Sequence, residues 1–216
     1  MLTEGVIFDM DGVLVDSEPV IRAAAAEGLR RYGVPAQEQD FIPFTGMGED
    51  RFIGGVAEHY GHEYDPVMKK TVYEIYGELV DARLMVYTAT KRTLEALRAE
   101  GRRMALASSA DHVKINHNLR VAAIPHEIFD AVIGGEDVAR KKPNPDIYLL
   151  AAERLGVSAA DCIVVEDAVS GVQAGKAAGA RVVGITTSFS SEALTAAGAD
   201  IVIEDIARLP EAARKL

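Results

Sequence analysis

Short apolar runs alternate with segments of helical spacing through most of the chain, and no other feature limits its fold as strongly. From about residue 84 onwards, the runs that indicate strands cover residues 103–108, 131–134, 162–166, 182–186 and 201–203. Glycines stand where the intervening helices should end, at positions 101, 156, 179 and 198. Strands that alternate with helices at this interval predict βαβ units and a parallel sheet.

The first apolar run, Gly5–Phe8, has the same nearly continuous apolar character, which is typical of a strand covered on both faces. Residues of roughly 17 to 83 break the alternation, because their apolar side chains recur at helical intervals and no strand pattern stands out. We therefore predict a doubly wound, Rossmann-like α/β core of residues 1–16 and 84–216. A helical domain of residues 17–83 is expected to be inserted into it.

Composition narrows the class of function. The 216 residues are 49% hydrophobic and 26% charged, as in an ordinary soluble globular protein. The formal charge of −10 argues against a broad nucleic-acid or anionic-membrane surface, although it allows an anionic small-molecule substrate. Cys162 is the single cysteine, so neither a disulfide nor a CxxC zinc site can form within the chain. With no signal peptide or membrane span recognised, we expect a cytoplasmic protein, by default a monomer.

Polar residues follow three of the predicted strands directly. In doubly wound sheets ligands bind beyond the carboxyl ends of the strands, so these side chains should converge on one crevice if their strands are neighbours. The residues are Asp9, Asp11, Ser108, Ser109, Glu166 and Asp167.

The stretch VIFDMDGVLVDSE places several of these acids together, and three interpretations compete for it. An EF-hand calcium loop fails because Val13, Leu14 and Val20 occupy positions that need a ligand, a glycine and a glutamate. A turn with solvated acids and a magnesium-assisted nucleophile both stay open on this stretch alone. Taken alone, Glu166 and Asp167 are equally compatible with acids that favour a helix N-terminus. A P-loop is excluded, since GVQAGK has the wrong glycine spacing.

Four stretches in order carry a resemblance that covers nearly the whole chain: FDMDGVLVDSE, ALASSA, KKPNPDIY and VVEDAVSGVQAGKAAG. Together they resemble the haloacid dehalogenase superfamily of phosphatases and phosphomutases. The resemblance is to its β-phosphoglucomutase-like and phosphoglycolate-phosphatase-like branch, in which a helical cap follows the first motif. Residues 17–83 would be this cap, with hinges near residues 15–18 and 83–86.

The resemblance implies roles for individual residues. Asp9 would be the nucleophile that becomes an aspartyl phosphate, and Asp11 would protonate the leaving alkoxide and later activate water. Ser108 and Lys142 would hold the phosphoryl oxygens. The presence of Asp11 favours phosphoryl chemistry over dehalogenation, because a halide leaves without a proton.

The resemblance also implies Mg²⁺ as cofactor. The carboxylate of Asp9, the backbone carbonyl of Asp11 and Asp167 would bind it, with Glu166 close by or bonded through water. Clustered carboxylates repel one another, and a hard cation that prefers oxygen ligands relieves this repulsion.

The substrate would be a small phosphorylated metabolite, such as a sugar phosphate or a phosphoglycolate-like compound, bound with the help of Gly46, Glu49, Arg51 and Ser109. Where the mutase pattern has a histidine and an arginine in the cap, this chain has Ile21 and Glu49. These departures favour a phosphatase, although Arg51 lies close enough to substitute for the missing arginine, and a β-phosphoglucomutase-type mutase is the alternative. A metal- and phosphate-binding module without turnover is the alternative from another class.

Overall fold

A computed structural model of the chain describes residues 4–216. The strands are β1 (Gly5–Phe8), β2 (Val15–Asp16), β3 (Met85–Val86), β4 (Arg103–Ala107), β5 (Ala131–Ile133), β6 (Cys162–Glu166), β7 (Arg181–Ile185) and β8 (Ile201–Ile203). Six of them form one parallel sheet in the order β5-β4-β1-β6-β7-β8. β1 lies between β4 and β6, so the carboxyl ends of these three strands are neighbours.

Helices connect and cover the strands. They are α1 (Glu18–Arg30), α2 (Glu49–His59), α3 (Pro66–Arg83), α4 (Thr90–Ala99), α5 (His112–Val121), α6 (Asp146–Leu155), α7 (Val169–Ala177), α8 (Ser191–Ala197) and α9 (Leu209–Ala213), with a 3-10 helix at Glu38–Phe44. Shorter 3-10 turns lie at His126–Ile128, Gly135–Asp137, Ala159–Asp161 and Ile206–Arg208. Among residues 4–216, no helix has both the length and the apolar character that a membrane crossing requires.

The sheet is buried on both faces. Phe8 packs in one apolar cluster and its neighbour Ile7 in another, because successive side chains of a strand point to opposite faces. Phe8 is level with Leu106 of β4 and Val165 of β6. The α/β fold predicted from the sequence is confirmed, and each predicted strand of the sheet agrees with the observed one to within a residue.

The segment between β2 and β3 is helical and has an apolar cluster of its own. Leu29, Phe41, Ile53 and Tyr76 are buried in it, on α1, the 3-10 helix, α2 and α3 respectively. β2 and β3 pair antiparallel where this segment leaves and rejoins the sheet. Sequence reasoning did not find this pair, because two residues per strand are too few to show a periodicity. The division into a core and an inserted domain stays a prediction.

Candidate active site

A cavity of about 540 Å³ opens at the carboxyl ends of β1, β4 and β6. Its far wall comes from the helical segment, through the loop at residues 45–48 and the start of α2. The structure brings almost all of the predicted site residues to this cavity. Its lining includes Asp9, Asp11, Gly46, Glu49, Ser108, Ser109, Lys142, Glu166 and Asp167.

Arg51 is the exception among the residues expected at the crevice, and its role there stays a prediction. It does not line the cavity. Its Nη1 bonds to Oε2 of Glu58 at 2.8 Å, and its guanidinium lies over the Phe44 ring at 5.2 Å. About half of the Arg51 side chain is exposed. Residue 51 is two positions beyond Glu49 on α2, so it points away from the face that Glu49 presents to the cavity.

Lys142 bridges two acids of the site, Asp9 and Glu166. Its Nζ donates to Oδ1 of Asp9 and to Oε1 of Glu166, each at 2.6 Å. Burial opposes the lysine's charge, but Asp9 and Glu166 outweigh it and raise the pKa of Lys142 well above its usual value. The bonds leave Oδ2 of Asp9 without a hydrogen-bond donor among residues 4–216. Lys142 therefore holds Asp9 with one oxygen available to the cavity.

Glu166 is held by four protein groups. Besides Lys142, Oε1 accepts from the hydroxyl of Tyr148 at 2.6 Å, and Oε2 accepts from the backbone N–H of Asp167 and of Ala168 at 3.0 Å. The side chain fits because residue 171 is glycine: a Cβ there would lie 1.8 Å from Oε1. With both oxygens engaged, Glu166 is better placed to anchor Lys142 than to bind a metal directly.

Asp11 is bonded on both carboxylate oxygens by residues that sequence reasoning gave no role at the site. Lys114 Nζ donates to Oδ2 at 2.9 Å, and the Ser17 hydroxyl donates to Oδ1. Ser17 occupies the N-cap position of α1, but its hydroxyl makes no capping bond. The sequence did contain one indication of Lys114. It lies three residues beyond Asp111, close to the same strand end as Ser108 and Ser109.

Ser108 is buried at the end of β4 with its hydroxyl oriented by the backbone. Oγ accepts from the N–H of Ala110 at 3.1 Å, and this leaves the hydroxyl proton free to be donated. Ser109 lines the cavity beside it and is half-buried. This end of the cavity therefore combines a hydroxyl donor, the Lys142 ammonium and the Asp9 carboxylate.

Oxygen atoms of Asp9, Glu166 and Asp167 lie within 4.8 Å of one another. An all-carboxylate set of this kind suits a hard cation such as Mg²⁺. Asp167 accepts a hydrogen bond from the Ser188 hydroxyl on Oδ2. Burial, Glu166 and Asp9 raise the pKa of Asp167 well above its usual value, and burial raises that of Asp9 to about 7 despite Lys142. A bound cation would relieve this unfavourable crowding of charge.

Comparison with known proteins identifies the family to which the chain belongs. The sequence profile of the haloacid dehalogenase-like hydrolases matches residues 3–179. Phosphoglycolate phosphatase of Escherichia coli is 31% identical over 225 residues, covering 94% of this chain and 89% of that protein. The protein SUPPRESSOR OF QUENCHING 1, chloroplastic, of Arabidopsis thaliana is 37% identical over 209 residues, but the 94% of this chain that matches spans only 20% of that longer protein.

A solved structure extends the likeness to the whole fold. The crystal structure of CbbY from Rhodobacter sphaeroides in complex with phosphate has a TM-score of 0.86 and 27% sequence identity, and the match covers 100% of both chains. The predicted enzyme class, a phosphatase of this superfamily, is thereby confirmed together with its branch. The chain belongs to the haloacid dehalogenase-like hydrolases.

Proposed function

We propose that this protein hydrolyses a small phosphorylated metabolite, with Mg²⁺ as cofactor and Asp9 as the group that is transiently phosphorylated. The observation that carries the proposal is the arrangement around Asp9. Lys142 Nζ holds one of its oxygens at 2.6 Å, and the other has no donor among the described residues at the cavity. Asp11 and the Ser108 hydroxyl line the same cavity, so a nucleophile, a proton donor and phosphoryl-binding groups are together.

In the first half of the reaction, the free oxygen of Asp9 attacks phosphorus and the bond from phosphorus to the leaving oxygen breaks. Asp11 donates its proton to that oxygen, so the alcohol leaves neutral. The Lys142 ammonium and the Ser108 hydroxyl donate hydrogen bonds to the other phosphoryl oxygens and stabilise their negative charge.

In the second half, Asp11 accepts a proton from water while the water oxygen attacks the phosphorus of the aspartyl phosphate. The bond between phosphorus and the Asp9 oxygen breaks, which releases inorganic phosphate and regenerates the carboxylate. Lys114 and Ser17, which bond to the two oxygens of Asp11, keep this carboxyl oriented through both steps.

Asp9, Asp167 and the backbone carbonyl of Asp11 would hold Mg²⁺, and Glu166 would reach it through water because its own oxygens are engaged. When bound, the ion supplies neutralisation of charge between an anionic nucleophile and an anionic substrate. The donor set and the crowding of buried carboxylates support this assignment.

The helical segment of residues 17–83 would act as a cap domain that closes over the substrate and excludes water during the first half of the reaction. The β2–β3 pair, at residues 15–16 and 85–86, would be the hinge. Ile21 lines the cavity and Glu49 lies at its cap wall, so neither residue offers a cation to a second phosphoryl group. This favours hydrolysis over transfer within a bisphosphate. The cytoplasmic location and the monomeric state stay predictions.

Phosphate release in the presence of Mg²⁺, measured over sugar phosphates, 2-phosphoglycolate, glycerol phosphate and nucleotides, tests the proposal. We expect at least one of these esters to be hydrolysed, and Asp9→Asn to reduce its release to the background rate. Release that survives Asp9→Asn would refute the aspartyl phosphate mechanism. Conversion of β-glucose 1-phosphate to glucose 6-phosphate would replace the phosphatase with the mutase, and no Asp9-dependent release would favour a binding module.

A further inference from the structure

The cationic side chains that line the cavity, among residues 4–216, are Lys114 and Lys142. Both are already paired with acids. Lys142 bonds to Asp9 and Glu166 at 2.6 Å, while Lys114 lies 2.9 Å from Asp11 and 3.7 Å from Glu49. Once Lys142 binds the phosphoryl group, the described residues of the cavity offer no unpaired cation to a second anionic group of the substrate.

Glu49 is the one acid of the cavity lining, among residues 4–216, that accepts no hydrogen bond on either carboxylate oxygen. It is the first residue of α2, only 9% exposed, and it lines the cavity. No donor within the described part of the chain comes within hydrogen-bond distance of its carboxylate, and its nearest cation, Lys114, is bonded to Asp11 instead. A buried carboxylate without donors is costly. A substrate that brings a donor to this point would satisfy it.

The surroundings of Glu49 are electronegative. Asp11 and Glu18 line the same region: Asp11 and Glu49 share the single charge of Lys114, and Glu18 pairs with Arg22 at 3.4 Å. Burial raises the pKa of Glu49 to about 7, although Lys114 opposes the shift and Asp11 adds to it. The positive end of α2 offers no free anion site, because Glu49 and Asp50 already occupy its first turn. A second anion on the substrate would therefore be repelled here.

The rest of this wall is uncharged. Ile21, Ile42 and Phe52 give it apolar surface from the helical segment, and Phe189 closes it from the core. Ser170 and Gln173 of α7 add neutral hydrogen-bonding groups. Such a wall suits a carbon skeleton that carries hydroxyl groups.

We propose that the substrate is a monophosphate ester whose leaving alcohol is uncharged or cationic and donates a hydrogen bond to Glu49, so that Glu49 determines specificity by rejecting a second anion. The proposal rests on the phosphatase function given above. It separates this chain from its relative named phosphoglycolate phosphatase, whose name indicates a substrate that carries a carboxylate.

Two series of esters matched in size provide the test. One is 2-hydroxyethyl phosphate, phosphoethanolamine and 2-phosphoglycolate; the other is sorbitol 6-phosphate, glucosamine 6-phosphate and 6-phosphogluconate. In at least one series, we expect kcat/KM for the neutral or cationic member to exceed that of the carboxylate member by at least about tenfold, as like-charge repulsion of modest size would give. Equal values, or a preference for the carboxylate member in both series, would overturn the inference.

Substitution of Glu49 assigns the effect to this residue. Glu49→Gln should bring the neutral-to-carboxylate ratio of kcat/KM towards one, and Glu49→Arg should reverse it. Glu63→Gln and Glu63→Arg are the matched controls, since Glu63 is an exposed acid of the same helical segment outside the cavity lining, and they should leave the ratio unchanged. If Glu49→Arg does not fold, the conservative Glu49→Gln still decides, because an unchanged ratio in that variant contradicts the role of Glu49.

Failure of the inference and failure of the proposed function give different results. If Asp9→Asn abolishes release from these esters while the carboxylate members are used as well as the neutral ones, the phosphatase stands and the specificity proposal falls. If no ester shows Asp9-dependent release, the proposed function fails and the specificity proposal fails with it.

Discussion

Gly12 meets two constraints at once, and each of them favours glycine. Its φ is +77°, in the left-handed region, where a side chain is strained. A Cβ at this position would also lie 1.8 Å from Oδ2 of Asp167. The turn after Asp11 is therefore packed directly against the acid that would help to hold the metal.

Comparison of Gly12→Ala with Gly101→Ala separates these two constraints. Gly101 has the same φ of +77°, but a Cβ there meets nothing within 4 Å. Gly101→Ala should reduce the free energy of unfolding by about 1 kcal/mol through backbone strain alone. Gly12→Ala should cost more than this and also weaken Mg²⁺ binding, because Asp167 must move. Urea unfolding and calorimetric Mg²⁺ titration measure both effects; equal costs with unchanged Mg²⁺ affinity would contradict the prediction.

Asp167 should make the metal-free protein less stable as the pH rises. Its folded pKa lies well above the unfolded value because of burial, Glu166 and Asp9, so the folded state binds the proton more tightly. Stability is then lost as the pH rises above the unfolded value. Asp167→Asn should therefore raise the melting temperature without metal at pH 8, and raise it less at pH 5.

Mg²⁺ provides the second half of that measurement. It should raise the melting temperature of the wild type more than that of Asp167→Asn, since binding to the folded state alone stabilises it. Asp161→Asn is the control, because Asp161 is an exposed acid that directly precedes the N-terminal end of β6, opposite the end that carries Asp167. A metal-free Asp167→Asn that melts below the wild type at pH 8 would show that Asp167 is not under electrostatic strain.

At the scale of elements, α5 follows β4 and supplies the lysine that holds Asp11, the proposed proton-transfer group. The helix begins at His112, just beyond the end of β4, and its third residue, Lys114, is 3% exposed and bonded to Asp11. A buried lysine is costly unless it is paired, so the α5 N-terminus is built around this bond. The role of Lys114 in positioning Asp11 can be tested by comparing substrates whose leaving groups need a proton with substrates whose leaving groups do not.

Lys114→Met should impair esters of ordinary alcohols more than 4-nitrophenyl phosphate. An alkoxide needs the proton of Asp11, whereas 4-nitrophenolate leaves readily without one. We expect kcat on an alkyl phosphate to fall by about tenfold to a hundredfold, within the range of general acid–base effects, and kcat on 4-nitrophenyl phosphate to fall less. Lys70→Met, an exposed lysine of α3, is the control. Equal losses on both substrates would indicate a purely structural role for Lys114.

Elements were predictable where a pattern runs long enough to be detected. The runs at Gly5–Phe8 and Cys162–Glu166 are buried on both faces, and their bounds agree with the sequence prediction. Lys114 was missed because a lysine in a mixed polar helix normally indicates a solvated face. The direction of Arg51 depends on how α2 is rotated about its axis, and packing of the whole helical segment decides that rotation.

At the scale of the whole molecule, polar contacts bridge the helical segment and the sheet-bearing part. Lys69 of α3 bonds to Asp111 at 2.9 Å, and the Tyr76 hydroxyl bonds to Asn118 of α5. The covalent connections pass through the two-residue strands β2 and β3. Each part has an apolar cluster of its own, although Val121 of α5 also packs against the cluster of the helical segment. Relative movement would therefore break the polar contacts and this packing, while the rest of each core stays buried.

The width of the cavity mouth should therefore depend on ligand. Met47 on the helical segment and Phe189 on the sheet side both line the cavity and are 49% and 44% exposed, so cysteines placed there can carry spin labels. The native Cys162 is buried and should not react. We expect a broad distance distribution without ligand that narrows when Mg²⁺ and a phosphate analogue bind, because the analogue gives the closed state additional contacts.

A label pair at Val113→Cys and Phe189→Cys is the control, since both residues belong to the sheet-bearing part and Val113 is 49% exposed. Its distribution should not respond to ligand. Lys69→Met should broaden the Met47→Cys and Phe189→Cys distribution, because it removes the bond to Asp111, which is one of the polar contacts between the two parts. The distance distribution across the mouth could instead be as narrow without ligand as with it. That result would mean that residues 17–83 are fixed on the core and that substrate enters through an opening that is always present.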